Sequence, residues 1–396
     1  MTRLWDKGAP LDDKVLSYTA GEDYALDERL VRYDARASIA HARMLHEQKL
    51  LCAADFEAIR TGLEALADEH ARGLWHIELA DEDGQTALER RLTERIGPAG
   101  GRVHLGRSRN DQVLTALRLY MRDAVEELSV GAARVAEALD RLAEREKDTA
   151  LPGYTHMQQA MPSSVPLWAG GFAAEIRDDA EGLKGVQRRI GKSPLGSAAG
   201  YGTPGLPLDR ASTQHSLGFS VVHQPVTAVQ LSRGKAEAHL LFEIALLMQD
   251  VGRLAADVLL FYTQEFGFLE LPDAFTTGSS IMPQKRNPDV FELIRGRSAT
   301  AQACLTEALG IYAKLPSGYQ RDLQLLKFPL FRGIDLAHQT LDILPAALDA
   351  MRFRPDRIHL DAAIHAAEEA NQLVVSEGIP FREAYRRVAA KLKNAR

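Results

Sequence analysis

Residues 277–292, TGSSIMPQKRNPDVFE, gather two serines, a lysine and an asparagine into one short run. Gly278, Pro283 and Pro288 break it too often for a buried element, so as far as Lys285 it reads as a mobile polar loop. From Asn287 the character changes. Asn is a good N-cap, Pro is tolerated in the first helical turn, and Asp suits the positive end, so Asn287-Pro288-Asp289 opens a helix. Hydroxyls and an ammonium hinged to a helix N-terminus suit the handling of an anion. A decorated surface loop before a well-capped helix explains the same residues, and both readings stand at this point.

Two further stretches carry polar heads. Residues 101–112, GRVHLGRSRNDQ, set Ser108, Arg109, Asn110 and Gln112 beside a helix start, with Asn110 or Asp111 as its cap. Arg107 and Arg109 could each take a carboxylate bidentately, and a basic capping loop is the alternative. In residues 153–158, GYTHMQ, His156 follows Thr155 in a loop where an imidazole is free to titrate or orient near neutral pH. A structural histidine would look the same. Other chemistries lack their residues. Gly200-Tyr201-Gly202-Thr203-Pro204-Gly205 fits GxGxxG, but no strand precedes it and Pro204 interrupts the helix a dinucleotide site needs. No P-loop, HExxH, cysteine–histidine ligand set or GxSxG elbow occurs. Neither metal nor organic cofactor is expected. Hydroxyls, a loop histidine, a lysine, arginines and amides suit proton abstraction next to a carboxylate, where fixed donors stabilise the growing charge.

The elements that must position these loops are helices. At 396 residues the chain is long enough for a large core and two or three domains. Hydrophobic content of 45% and charged content of 26% fit a soluble globular protein, and a net charge of −6 argues against nucleic acid as the main partner. The two cysteines, Cys52 and Cys304, read as buried packing residues in a reducing compartment. Residues 1–14 lack the apolar segment of a secretory signal. Glu243, Asp250, Arg253 and Asp257 interrupt the most apolar window, so no membrane span or membrane partner is expected and the localisation reads as cytoplasmic. Apolar spacing predicts helices over 26–51, 55–72, 85–96, 110–147, 168–190, 209–217, 228–266, 288–313 and 323–351, and two or three short ones within 358–393. Only 219–223 reads as strand. Breaks at Gly97-Pro98-Ala99-Gly100-Gly101 and Pro355 divide the chain into an N-terminal helical domain (1–106), a central long-helix bundle with the polar loop (107–354) and a short C-terminal helical domain (355–396). Helices this long expose apolar faces that one chain cannot cover, so self-association follows.

Taken together, the polar stretches resemble a known family. GSSIMPQKRNPD resembles the signature loop of the fumarase/aspartase superfamily of lyases. GRVHLGRSRNDQV, GYTHMQQAMP, SPLGS and LPSGYQRDLQLLK are similar to those of argininosuccinate lyases, and the resemblance runs over residues 15–390. It implies an all-α, three-domain fold with a central bundle of long helices, four copies building a twenty-helix core. It implies a carbon–nitrogen lyase of arginine biosynthesis, eliminating argininosuccinate reversibly to L-arginine and fumarate without metal or cofactor. By the same resemblance Ser279 is the general base, Lys285 and Asn287 hold the carboxylate that gathers charge, and His156 with Glu292 orients substrate or protonates the leaving nitrogen. Ser108, Arg109, Asn110 and Thr155 hold carboxylates, and Tyr319, Gln324 and Lys327 grip the arginine portion. The sites would be composite, drawn from several copies, with the loop closing over substrate. Some positions depart from the family: Gln85 stands where a histidine is common, Leu105 where threonine is, and Leu231-Ser232-Arg233-Gly234 replaces an acidic run. A lyase acting on a related fumarate adduct and a non-catalytic, crystallin-like protein are the other readings.

Overall fold

The computed structural model describes residues 12–394. Residues 1–11, most of the lead-in read above as lacking a secretory signal, lie outside them. The expected helical fold is found. Its main helices are α1 (Asp13–Ala20), α2 (Val31–Glu47), α3 (Ala53–Ala71), α4 (Gly84–Ile96), α5 (Arg109–Arg145), α6 (Val165–Gly185), α7 (Arg210–Ser216), α8 (Lys235–Tyr262), α9 (Asp289–Tyr312), α10 (Lys327–Ala350), α11 (Ala366–Glu377) and α12 (Phe381–Asn394). Local chemistry sets their ends. Asp12, Asp83 and Asp209 accept backbone N–H groups at the starts of α1, α4 and α7. Gly378, left-handed at φ 67°, terminates α11.

Three expectations change. The helix read over 228–266 is interrupted at Gly234, whose φ is +81°, and α8 starts only at Lys235. A Cβ at Gly234 would lie 2.4 Å from the Tyr312 ring, so close packing forces the break. The helix read from residue 26 begins at Val31, after a 3₁₀ turn over Asp27–Leu30. Residues 153–158, read as lying in a loop, belong to a β-hairpin of β1 (Ala150–Thr155) and β2 (Gln158–Ser164), with Pro152 opposite Pro162. A two-stranded ladder has only edges, where proline's missing N–H costs nothing. The strand read at 219–223 is found as a short one: β3 (Lys192–Ser193) pairs in parallel with β4 (Val221–Val222). β5 (Leu269–Glu270) and β6 (Arg352–Phe353) form a further antiparallel pair.

By packing, the described residues fall into two compact units. The first takes 12–128, 182–245 and 301–335, the second 129–181, 246–300 and 336–394. In the first, Leu45, Ile59, Leu63, Leu88 and Leu92 pack where α2, α3 and α4 meet, each burial worth about 1.5–3 kcal/mol. In the second, Trp168 packs against Phe261 and Phe353, with ring centroids 5.7 and 5.8 Å away. Both cysteines are free. Cys304 is buried as expected, but Cys52 is exposed, its Sγ accepting from the Asp55 N–H at the start of α3. Among the described residues no helix is long and apolar enough to cross a membrane.

Gly234→Ala would combine a left-handed alanine with a clash against Tyr312. We expect it to lower the free energy of unfolding by roughly 2–4 kcal/mol, read from urea denaturation.

Candidate active site

The first unit holds six of the singled-out residues. Ser108 caps α5: its carbonyl accepts from the Asp111 and Gln112 N–H groups, and its Oγ from the Asn110 N–H at 3.3 Å. Asp111 is therefore not the cap but its reciprocal partner. Its Oδ1 accepts the Ser108 N–H, and its Oδ2 accepts those of Gly196 and Ala198, all at 2.9 Å. Burial pushes the Asp111 carboxyl up to about 6, against the pull of those N–H groups and Arg107. Two expected donors face inward instead. Arg107 donates to the Ser38 Oγ at 2.7 Å and Gln112 to Asp34. Arg109 stays half-exposed, its Nε paired with Asp83.

Residues 319–327 meet the N-terminal segment of the same unit. Lys327, which by itself would read as a solvated helix charge, is only 2% exposed. Its ammonium lies 2.9 Å from Asp23 and 2.5 Å from Asp27. Burial works to lower the Lys327 pKa, but the two carboxylates outweigh it and hold the group protonated. Asp23 is pushed up to about 6, first by burial and further by neighbouring Asp27, with Lys327 opposing. Asp27 also accepts the Gly84 N–H at 3.1 Å, which ties this cluster to the start of α4. Gln324 donates from Nε2 to the carbonyls of Thr19 and Ala20 at 3.1 and 3.3 Å. Tyr319 carries the Arg233 guanidinium 5.1 Å above its ring.

The second unit holds Thr155, His156, Ser279, Lys285, Asn287 and Glu292. Thr155 pairs with Gln158 across the hairpin, leaving His156 and Met157 as its two-residue turn at φ 52° and 60°. Such a turn favours Asn-Gly, so side chains here are held in a conformation their Cβ atoms disfavour, and His156 is displayed at an exposed tip. Tyr154, His156, Trp168, Asp257 and Phe261 border a cavity of about 390 Å³ beside it.

Residues 278–286 form a loop closed at its neck. The Thr277 N–H donates to the Asn287 carbonyl at 3.0 Å and the Asn287 N–H returns to the Thr277 carbonyl at 2.8 Å. Arg286 braces it through Asp273 at 2.7 Å. The Asn287 side chain does not cap α9. It donates to the Thr277 Oγ1 and the Gly278 carbonyl, and the Pro288 carbonyl receives the first helical N–H groups. Gly278 adopts no left-handed φ, and a Cβ there would meet nothing within 4 Å. Ser279 Oγ accepts from the Ile281 and Met282 N–H groups at 3.4 and 3.2 Å. Lys285 and Glu292 are exposed. Within one chain no ion pair joins His156 to Glu292.

A protein-family profile described as Lyase matches residues 14–303. The chain is 48% identical to the argininosuccinate lyase of Sorangium cellulosum, across 98% of this chain and 90% of that one. The chain belongs to the argininosuccinate lyase family. To the family's member in Stenotrophomonas maltophilia it is 41% identical, across 99% and 91%. Among solved structures it resembles EDDS lyase in complex with formate, with a TM-score of 0.83 at 26% identity over 98% of this chain and 77% of that one.

Within this family member, the acids Asp23, Asp27 and Asp83 escaped the sequence reading although they hold the expected cations and the start of α4, and Asp111 was read as a possible cap rather than as the partner of one. The only signals were the i, i+4 spacing of Asp23 and Asp27 and the Asp-Gly start of α4. Among the described residues no cluster of three His, Cys, Asp or Glu side chains is placed to hold a metal ion.

Two predictions follow from these geometries. Lys327→Met strands two buried carboxylates and should cost about 3–5 kcal/mol of stability near neutral pH. Without the cation, which opposes burial in the wild type, the Asp23 carboxyl is pushed further above its unfolded value. The favourable contribution of protonated Asp23 is present at low pH and is lost as pH rises from about 4 through its folded pKa. Urea midpoints should therefore show the variant destabilised more at pH 8 than at pH 5. Met157→Gly removes one left-handed side chain and should raise stability by about 0.5–1 kcal/mol, seen as a later denaturation midpoint.

Proposed function

We propose that the protein catalyses the reversible anti elimination of argininosuccinate to L-arginine and fumarate. The observation that carries the mechanism is the state of Ser279. Its Oγ accepts two backbone N–H groups and donates to no acceptor among the described residues. Donors aimed at the oxygen stabilise an alkoxide, which a serine needs before it can take a proton from carbon. Ser279 removes the Cβ proton. The adjacent carboxylate takes up the electron pair as an aci-carboxylate, held by Lys285 and Asn287. The Cα–N bond then breaks, the double bond of fumarate forms, and the guanidino nitrogen leaves with a proton delivered on the His156 side, with Glu292 bracing the imidazole. Loop closure excludes water and strengthens each of these interactions.

Ser108, Arg109, Asn110 and Thr155 bind the carboxylates. Tyr319 and Gln324 line the place of the arginine portion, and Lys327 acts there through the two acids it holds. Residues on distant segments come together in a homotetramer with composite sites, and the exposed Phe242, Leu246, Leu293 and Leu309 on α8 and α9 support that association. The three-part division at 106 and 354 and a cytoplasmic location belong to the same reading.

Fumarate absorbance tests it. With argininosuccinate, adenylosuccinate and aspartate offered separately, fumarate should come from argininosuccinate alone. Ser279→Ala should lower that rate by about 10³-fold or more. Release only from another adduct, or an undiminished rate in the variant, would refute the proposal.

A further inference from the structure

The Gly200–Gly205 motif, set aside as a nucleotide fingerprint, has a different use in the fold. Its glycines 200, 202 and 205 sit at φ +108°, +83° and +82°. The N–H groups of Gly200 and Gly202 both donate to the Ser197 carbonyl, at 2.9 and 3.0 Å. A Cβ on Gly200 would lie 2.8 Å from Gln230. The backbone is thus drawn tightly inward on either side of Tyr201, and the tyrosine is thrown outward, 68% exposed.

Both ends of this display are anchored to residues of the proposed site. Asp111 holds Gly196 and Ala198 with one oxygen and Ser108 with the other, which fixes the loop against the cap of α5. At the far end the Tyr201 Oη lies 3.4 Å from the position of a Cβ on Gly318, and no other atom outside residues 317–319 comes within 4 Å of that position. Gly318 is left-handed at φ +86° and directly precedes Tyr319. Tyr201 therefore reaches from the loop that Asp111 ties to Ser108 to the segment that carries Tyr319. An aromatic face there suits a planar guanidinium and its aliphatic stem, through cation–π attraction and apolar contact.

We infer that Tyr201 is a substrate-contacting specificity residue. Its ring covers the arginine portion of the substrate and its hydroxyl hydrogen-bonds to it. The inference rests on the function proposed above. Its test compares wild type, Tyr201→Phe and Tyr201→Ala in the full-length protein. The readouts are steady-state kinetics with argininosuccinate, inhibition by fumarate, and calorimetric binding of L-arginine. Because the side chain is exposed, the melting temperature should stay unchanged. Tyr201→Ala should raise both KM and the L-arginine Kd by about tenfold, the loss of roughly 1.4 kcal/mol of contact. Its kcat should stay within about threefold and its fumarate inhibition constant within about twofold. Tyr201→Phe should fall between the two. An unchanged KM and L-arginine Kd in Tyr201→Ala would overturn the inference, as would fumarate inhibition weakening in step with L-arginine binding. Absent turnover in the wild type would instead count against the proposed function, and the L-arginine comparison would still decide the role of Tyr201.

Discussion

A lysine buried between two aspartates is the constraint on which the first unit depends. Taking an ammonium out of water costs several kcal/mol unless opposite charge and hydrogen bonds replace the hydration. Asp23 and Asp27 supply both to Lys327. In doing so they fix the start of α10 against the N-terminal segment. Asp27 extends the tie to the Gly84 N–H. One residue earlier, Asp83 takes the Arg109 guanidinium, and two residues beyond Arg109 the Asp111 carboxylate reaches residues 196–198. Segments far apart in sequence are thus held by buried carboxylates, each taking up a cation or backbone N–H groups.

The second unit is organised on the opposite principle. Ser279 and Lys285 lie on a loop closed only by the pairing of Thr277 with Asn287, and His156 stands at the tip of a two-stranded hairpin. These groups are exposed or nearly so, and their side chains are largely unengaged. Loops that move over a substrate come from the low-stability end of a protein, because closing must cost little. On the proposed function, rigid binding groups and reactive groups on pliable segments would answer the two needs of an elimination: positioning two carboxylates, and excluding water at the moment of proton transfer.

Much of this was legible in the sequence. Apolar spacing located the helices because a helix repeats its buried face every three or four residues. The start of α9 was marked by Pro288 and Asp289, residues suited to a first helical turn. What escaped was set by partners distant in sequence. Nothing in Lys327 alone distinguishes a buried ammonium from a solvated one. The break at Gly234 depends on Tyr312, and the hairpin over 150–164 hides behind prolines that only edge strands tolerate. Asn287, readable as a cap, turned its amide back to the loop because Thr277 and Gly278 lie within reach. The roles proposed for Ser279 and His156 rest on the family likeness, since neither residue type declares a role.

The central claim is that the residues of the two units act together in composite sites formed by several copies of the chain. Mixing two inactive variants tests it most directly. Ser279→Ala is altered in the second unit and Arg109→Leu in the first. Co-refolded, their hybrid oligomers should contain some sites free of both changes, and fumarate release from argininosuccinate should reappear. Hybrid oligomers seen by native mass spectrometry but still inactive would contradict the account.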